Sequence, residues 1–148
     1  RAIGILIADG SDAARIKAVK QAVTDAGATV KMIAAKIGEA KLADGSLLKV
    51  DGQLAGTPSV MFDAVALILS KEAAASLSKE AAAIDFVRDA FGHLKAIGVD
   101  PGGEALLKIA GIESDAGVIA LDSLDRFSFI AAAKTRQWER EARIRTLA

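Results

Sequence analysis

Residues 2–34 read AIGILIADGSDAARIKAVKQAVTDAGATVKMIA, and they decide the fold class. Residues 2–8 are a continuous apolar run with isoleucine at positions 3, 5 and 7, the pattern of a strand covered on both faces in a parallel sheet. Asp9-Gly10-Ser11-Asp12 then supplies turn chemistry and a helix N-cap. Ile16, Val19, Val23 and Ala26 recur at helical spacing, and Gly27 predicts the stop. A second strand follows over residues 29–34. This is a β-α-β unit, whose crossover is expected to be right-handed.

Working outward, the texture changes in the middle of the chain. Asp44-Gly45 and Asp51-Gly52 bracket Leu47, Leu48 and Val50, which predicts a small hairpin excursion around residues 44–58 on a sheet edge. Residues 59–62 lead through Asp63 into 64–69 (AVALIL), the most apolar run and the expected central strand. A helix is expected over residues 79–93 with Ile84, Val87 and Phe91 on one side, then a strand over 96–99, a helix over 103–110 and a final strand over 117–121. Asp122-Ser123 should cap a last helix carrying Leu124, Phe127, Ile130 and Ala131. Strands alternating with helices predict an α/β domain, doubly wound, with a mainly parallel sheet and helices on both faces. The two alanine triplets at 73–75 and 81–83 reflect helix propensity rather than a repeat architecture.

Composition closes off several functions. The 148 residues suit a single domain, here expected to span the whole of 1–148. There is no cysteine and no tyrosine, and there is one histidine, His93. Thiol catalysis, disulfides and a cysteine zinc site are therefore excluded, and with one histidine no metal site is expected. Nineteen basic and nineteen acidic residues cancel, so no electrostatic footprint for nucleic acid exists. No apolar run approaches the roughly 20 residues of a membrane span, and a membrane partner is not expected. The chain starts at Arg1 without a signal-peptide pattern and reads as a piece of a longer protein, with the cytoplasm as the expected compartment.

Ligands of such sheets bind at the carboxyl ends of the strands. The turn after residue 8 lacks the Gly-x-Gly-x-x-Gly spacing of a dinucleotide cradle, and Asp12 reads as a cap. The turn after Val99, Asp100-Pro101-Gly102-Gly103-Glu104, is a sharp strand-to-helix connection where a hydrolase would place its nucleophile. Asp100 and Glu104 could act as paired carboxylates. They are also what capping and the helix dipole favour without a substrate, and that reading is preferred. His93 sits where a cationic side chain complements a helix C-terminus. Trp138 reads as a packed aromatic. Lys134, Arg136, Arg140, Arg143 and Arg145 read as a solvated face, with partner contact as the lesser alternative.

The block Asp44-Gly45-Ser46-Leu47, then Ala55-Gly56-Thr57-Pro58-Ser59-Val60 and Asp63-Ala64-Val65, resembles the C-terminal domain of large-subunit haem catalases. His93-Leu94-Lys95-Ala96-Ile97 and Gln137-Trp138 are similar to it as well, so the resemblance runs through the whole chain. It implies a flavodoxin-like fold related to the ThiJ/PfpI superfamily, whose members include hydrolases, glyoxalase-type enzymes and chaperones. In active members a cysteine at the sharp turn is paired with a glutamate from the first strand-helix region. Matching residue by residue places Asp100 at the cysteine position, with Gly102, Gly103 and Glu104 around it, and Arg15 near the glutamate position. The resemblance therefore implies a vestigial site with no catalytic residue. An arginine cannot serve as a base near neutral pH, and a carboxylate is a poor substitute for a thiolate nucleophile.

The parent enzymes bind haem through a tyrosine and use a distal histidine and asparagine. This chain has neither tyrosine nor asparagine, so any haem belongs to the parent's core and no cofactor is expected here. The leading expectation is a non-catalytic accessory domain that docks on the catalase core and its tetramer and stabilises them, with hydrogen peroxide as the parent's substrate. Chaperone-like binding of unfolded clients is a further expectation, motivated by a mean hydropathy of +0.34. The alternative is a small-molecule hydrolase, deglycase or ligand sensor acting at the Asp100 turn.

Overall fold

The computed structural model describes the backbone of residues 1–122 and 126–147 and the side chains of residues 1–122 and 128–144. The chain opens as expected, with β1 (Ala2–Leu6), α1 (Ala13–Asp25) and β2 (Thr29–Ala34). Asp12 caps α1 by accepting a hydrogen bond from the Arg15 backbone N–H at 3.2 Å. At the other end Gly27 takes φ +80°, and the Ala28 N–H reaches back to the Val23 carbonyl, a closure that needs a left-handed residue. Ile16, Val19 and Val23 are buried, while Ala26 forms the exposed C-cap and does not extend the apolar face.

The excursion lies slightly upstream of its expected place. The hairpin pairs β3 (Glu39–Lys41) with β4 (Leu47–Lys49), antiparallel, around the Asp44-Gly45 turn. After Asp51 the chain rejoins the main sheet as β5 (Gly52–Gln53), parallel to β2, and two 3-10 turns, Leu54–Gly56 and Ser59–Met61, complete the passage. There follow β6 (Ala64–Leu67), α2 (Lys71–Leu77), α3 (Ala81–Gly92), β7 (Ala96–Val99), α4 (Pro101–Ile109), β8 (Val118–Ala120), α5 (Arg126–Ala133) and α6 (Glu141–Leu147).

Two helices differ from expectation. α2 is an element that the apolar pattern did not announce, because its seven residues bury only Ala74 and Leu77; Ser70 caps it through the Ala73 N–H. α4 starts at Pro101, two residues early, because proline at the first helical position loses no intrahelical hydrogen bond. Among the described side chains of α5, Phe129 and Ala133, four residues apart, are buried, and Ala131 is exposed. The cap expected at Ser123 and the side chains of Leu124 and Phe127 lie outside the described residues.

The main sheet has the order β5-β2-β1-β6-β7-β8, and every pairing in it is parallel. β1 shows how it is covered on both sides. Ile3, Ile5 and Ile7 pack with Ile16, Val19 and Val23 of α1 and Phe129 of α5, whereas Leu6 packs with Phe86 and Val87 of α3 and Leu106 and Leu107 of α4. Between them Gly4 leaves room for the Phe62 ring, since a Cβ there would come within 2.7 Å of it. β1 and β2 run out to one side and β6, β7 and β8 to the other. The direction of winding thus reverses between β1 and β6, the switch point where open α/β sheets form their crevice.

Candidate functional site

The crevice beyond the ends of β1 and β6 is filled by the chain's own polar side chains. Ser11 is fully buried; its hydroxyl accepts from the Ala8 N–H at 3.0 Å and donates to the Ile68 carbonyl at 2.6 Å, tying the two strand ends together. Asp100 follows β7, with only 5% of its surface exposed. One carboxylate oxygen accepts from the Gly103 N–H at 2.7 Å and caps α4. The Leu69 N–H, at the end of β6, forks to both oxygens at 3.1 and 3.0 Å.

Arg15 reaches over from the first turn of α1, and its Nη1 stands 3.7 Å from Asp100 Oδ2. The two residues assigned by resemblance to a nucleophile and its acid partner thus face each other across the switch point as an ion pair. Burial pushes the Asp100 carboxyl above its ordinary value of 3.8, against the opposing pull of the Gly103 and Leu69 N–H groups and the Arg15 charge.

Gly102 and Gly103 let α4 approach β6 this closely. A Cβ on Gly102 would collide with the Leu69 carbonyl, and one on Gly103 with the Leu67 carbonyl. Glu104 is exposed in the first turn of α4 while Asp100 is buried, so the two carboxylates do not share an environment. A surface cleft of about 230 Å³ lies next to Arg15, with Asp12, Val19, Leu121 and Asp122 on its walls, but Asp100 does not line it. Chemically, this arrangement caps a helix and ties down two strand ends. His93 is exposed at the C-cap of α3. Among the described residues no group of three or more histidine, cysteine, aspartate or glutamate side chains is placed to hold a metal ion. No described helix is long and apolar enough to cross a membrane.

The tail departs most from its reading. Arg140 is not on a solvated face: it is 2% exposed and sits 4.1 Å above the Phe91 ring. Its Nε and Nη2 donate to both carboxylate oxygens of Asp115 at 2.7 and 3.0 Å, and its Nη1 donates to the Phe91 and Lys95 carbonyls at 3.1 and 2.8 Å. Trp138 is not packed; 63% of its surface is exposed. Burial pushes the Asp115 carboxyl up, but the hydrogen bond and charge of Arg140, the Gly117 N–H and the Arg143 charge together hold it below its ordinary value. No local pattern marks Arg140, because its partners lie 25 to 49 residues away. The one trace is Gly117, where a side chain would strike the Arg140 guanidinium.

A family model described as the C-terminal domain found in long catalases matches residues 1–142. Catalase C of Rhizobium meliloti is 40% identical, the alignment covering 98% of this chain and 21% of that protein; Catalase-1 of Neurospora crassa is 33% identical over 90% of this chain and 20% of that protein. The chain thus spans about a fifth of the length of these curated relatives. Among solved structures, DJ-1beta of Drosophila melanogaster superposes with a TM-score of 0.76 at 13% identity, covering 97% of this chain and 95% of that one. Oxidized DJ-1 of Toxoplasma gondii superposes with a TM-score of 0.71 at 13% identity, over 99% and 96% respectively. At those identities the likeness is one of fold, and it establishes the α/β flavodoxin-type architecture.

Proposed function

Since this chain belongs to the family of C-terminal domains found in long catalases, we propose that it is a non-catalytic accessory domain, seated on the peroxide-decomposing core of such an enzyme and stabilising the folded tetramer. The observation that carries this reading is the filled switch point. Asp100 is buried and engaged by Leu69, Gly103 and Arg15, and Ser11 seals the neighbouring strand ends. A carboxylate held in this way is a cap rather than a nucleophile, which counts against the hydrolase, deglycase or sensor alternative at the same turn. Haem does not fit this chain, which has no tyrosine and no asparagine and whose one histidine is exposed at a helix end; haem chemistry is assigned to the core.

The test compares the whole enzyme with a version lacking this domain. Peroxide turnover per haem is expected to persist in the truncated enzyme, while tetramer mass and the half-life at elevated temperature both fall. Full assembly and unchanged heat resistance after truncation would overturn the proposal. Holdase activity is a second reading, supported by exposed Ile37, Leu47, Val60, Met61, Ile109 and Trp138. It requires the purified domain to suppress heat-induced aggregation of a client below one-to-one stoichiometry, beyond the effect of an inert protein.

A further inference from the structure

We propose that the turn carrying Trp138 is the surface by which this domain seats on the catalase body of its own polypeptide, a step that rests on the accessory-domain reading. Trp138 opens a 3-10 turn, Trp138–Arg140, and stands beside a cleft of about 410 Å³ whose walls include Arg136, Glu139 and Arg143. An exposed tryptophan on a loose tail would be unremarkable, but this one is fixed from both sides. On one side the Gln137 N–H donates to the Leu94 carbonyl at 2.7 Å. On the other, Arg140 is buried and clamped by Asp115 and two backbone carbonyls.

The anchor point is itself held under strain. Leu94 adopts φ +63°, a left-handed conformation that a residue with a Cβ disfavours. Burial of its side chain and its bond to Gln137 hold it there. A strained leucine and a buried arginine thus fix the backbone that presents a large aromatic ring to solvent. Tryptophan and arginine are the side chains that dominate interface hot spots, and a rigid mount lowers the ordering cost of binding.

The other exposed apolar residues are smaller and scattered: Ile37 precedes the hairpin, Leu47 begins β4, Val60 and Met61 sit on a separate 3-10 turn, and Ile109 ends α4. The occupant follows from the family. A domain that makes up about a fifth of its relatives is tethered to the remaining four-fifths, and a tethered surface at millimolar effective concentration outcompetes a second copy. Its chemistry follows from the cleft: an apolar notch that takes the indole, rimmed by carboxylates or carbonyls that accept from Arg136.

Hydroxyl-radical footprinting of the whole catalase, read by peptide mass spectrometry against the denatured chain, tests this directly. Trp138 is expected to be protected about fivefold or more, as an interface core residue is, while Met61 stays within about twofold of its denatured reactivity. Because Trp138 is largely exposed, Trp138→Ser leaves the domain folded, and the whole enzyme carrying it should release the domain to protease earlier on heating. A reactive Trp138 in the intact enzyme overturns the proposal. So does protection that disappears on dilution while the tetramer persists, which would identify a second copy as the occupant. Loss of stability on deleting the domain, with no effect of Trp138→Ser and no protection, removes this face and leaves the accessory reading intact; a domain deletion without effect removes the reading itself.

Discussion

Asp100 shows how one side chain can turn a ligand crevice into a structural joint. Its two oxygens serve N–H groups from different elements, one at the end of β6 and one inside α4, so it couples strand to helix. Asp100→Ala is expected to cost about 3 kcal/mol, because buried donors lose their acceptor, with a fall in Tm of roughly 5–10 °C. Asp100→Asn keeps one acceptor and should cost about half as much. Both are read from thermal unfolding followed by circular dichroism. The pH dependence has a definite sign. The folded carboxyl titrates above 3.8, so the folded state holds its proton in a range where the unfolded chain has released it. The stability contributed by this titration is therefore full below pH 3.8 and declines as pH rises through the folded value. Denaturation midpoints of the wild type and Asp100→Asn across that window should converge as pH increases.

At the scale of elements, a charge cluster attaches the tail beside the apolar contact of Ile144 with the core. Arg140 donates four hydrogen bonds, two to Asp115 and one each to the Phe91 and Lys95 carbonyls, and so pins the turn before α6 to the end of α3 and the start of β7. Arg140→Leu removes the buried partner of the Asp115 carboxylate and four hydrogen bonds, and is expected to cost about 3–5 kcal/mol, while Arg140→Lys, which has no planar fork, should recover only part of that loss. Urea midpoints at neutral pH check both. Asp115 titrates in the opposite sense to Asp100: its folded carboxyl lies below 3.8, so its contribution is full above that value and is lost as pH falls through the lower one. An acid titration should therefore bring wild type and Asp115→Asn together below about pH 3.8, whereas at neutral pH the wild type is the more stable.

For the whole molecule, strand position sets the order of local stability. β1, β6 and β7 are paired on both edges, and β6 and β7 are buried at every residue; β5 is a two-residue edge strand, and the β3–β4 hairpin stands outside the main sheet. Native-state hydrogen exchange should find the slowest amides in β1, β6 and β7 and exchange faster by several orders of magnitude in β5 and the hairpin. Equal protection across both sets would mean that the hairpin belongs to the same cooperative unit as the sheet.

Residues 2–34 alone specified the β-α-β unit, because continuous apolar runs, a capping aspartate and a stopping glycine are local signals with local causes. The caps at Asp12 and Asp100 were legible for the same reason: an acceptor before a helix meets N–H groups only three residues away. The α2 helix was not, since seven residues that bury two side chains carry almost no periodicity and take their stability from packing against α4. Nor could the pattern tell that Asp100 would meet Leu69 and Arg15, that Ser11 would close the switch point, or that Arg140 would be buried and Trp138 left in solvent. Those outcomes depend on contacts between residues 25 to 85 positions apart. A charge or an indole has no fixed place along the chain; whether it faces water or protein is decided when distant segments pack, and here that packing seals the crevice and leaves a rigid tryptophan outside.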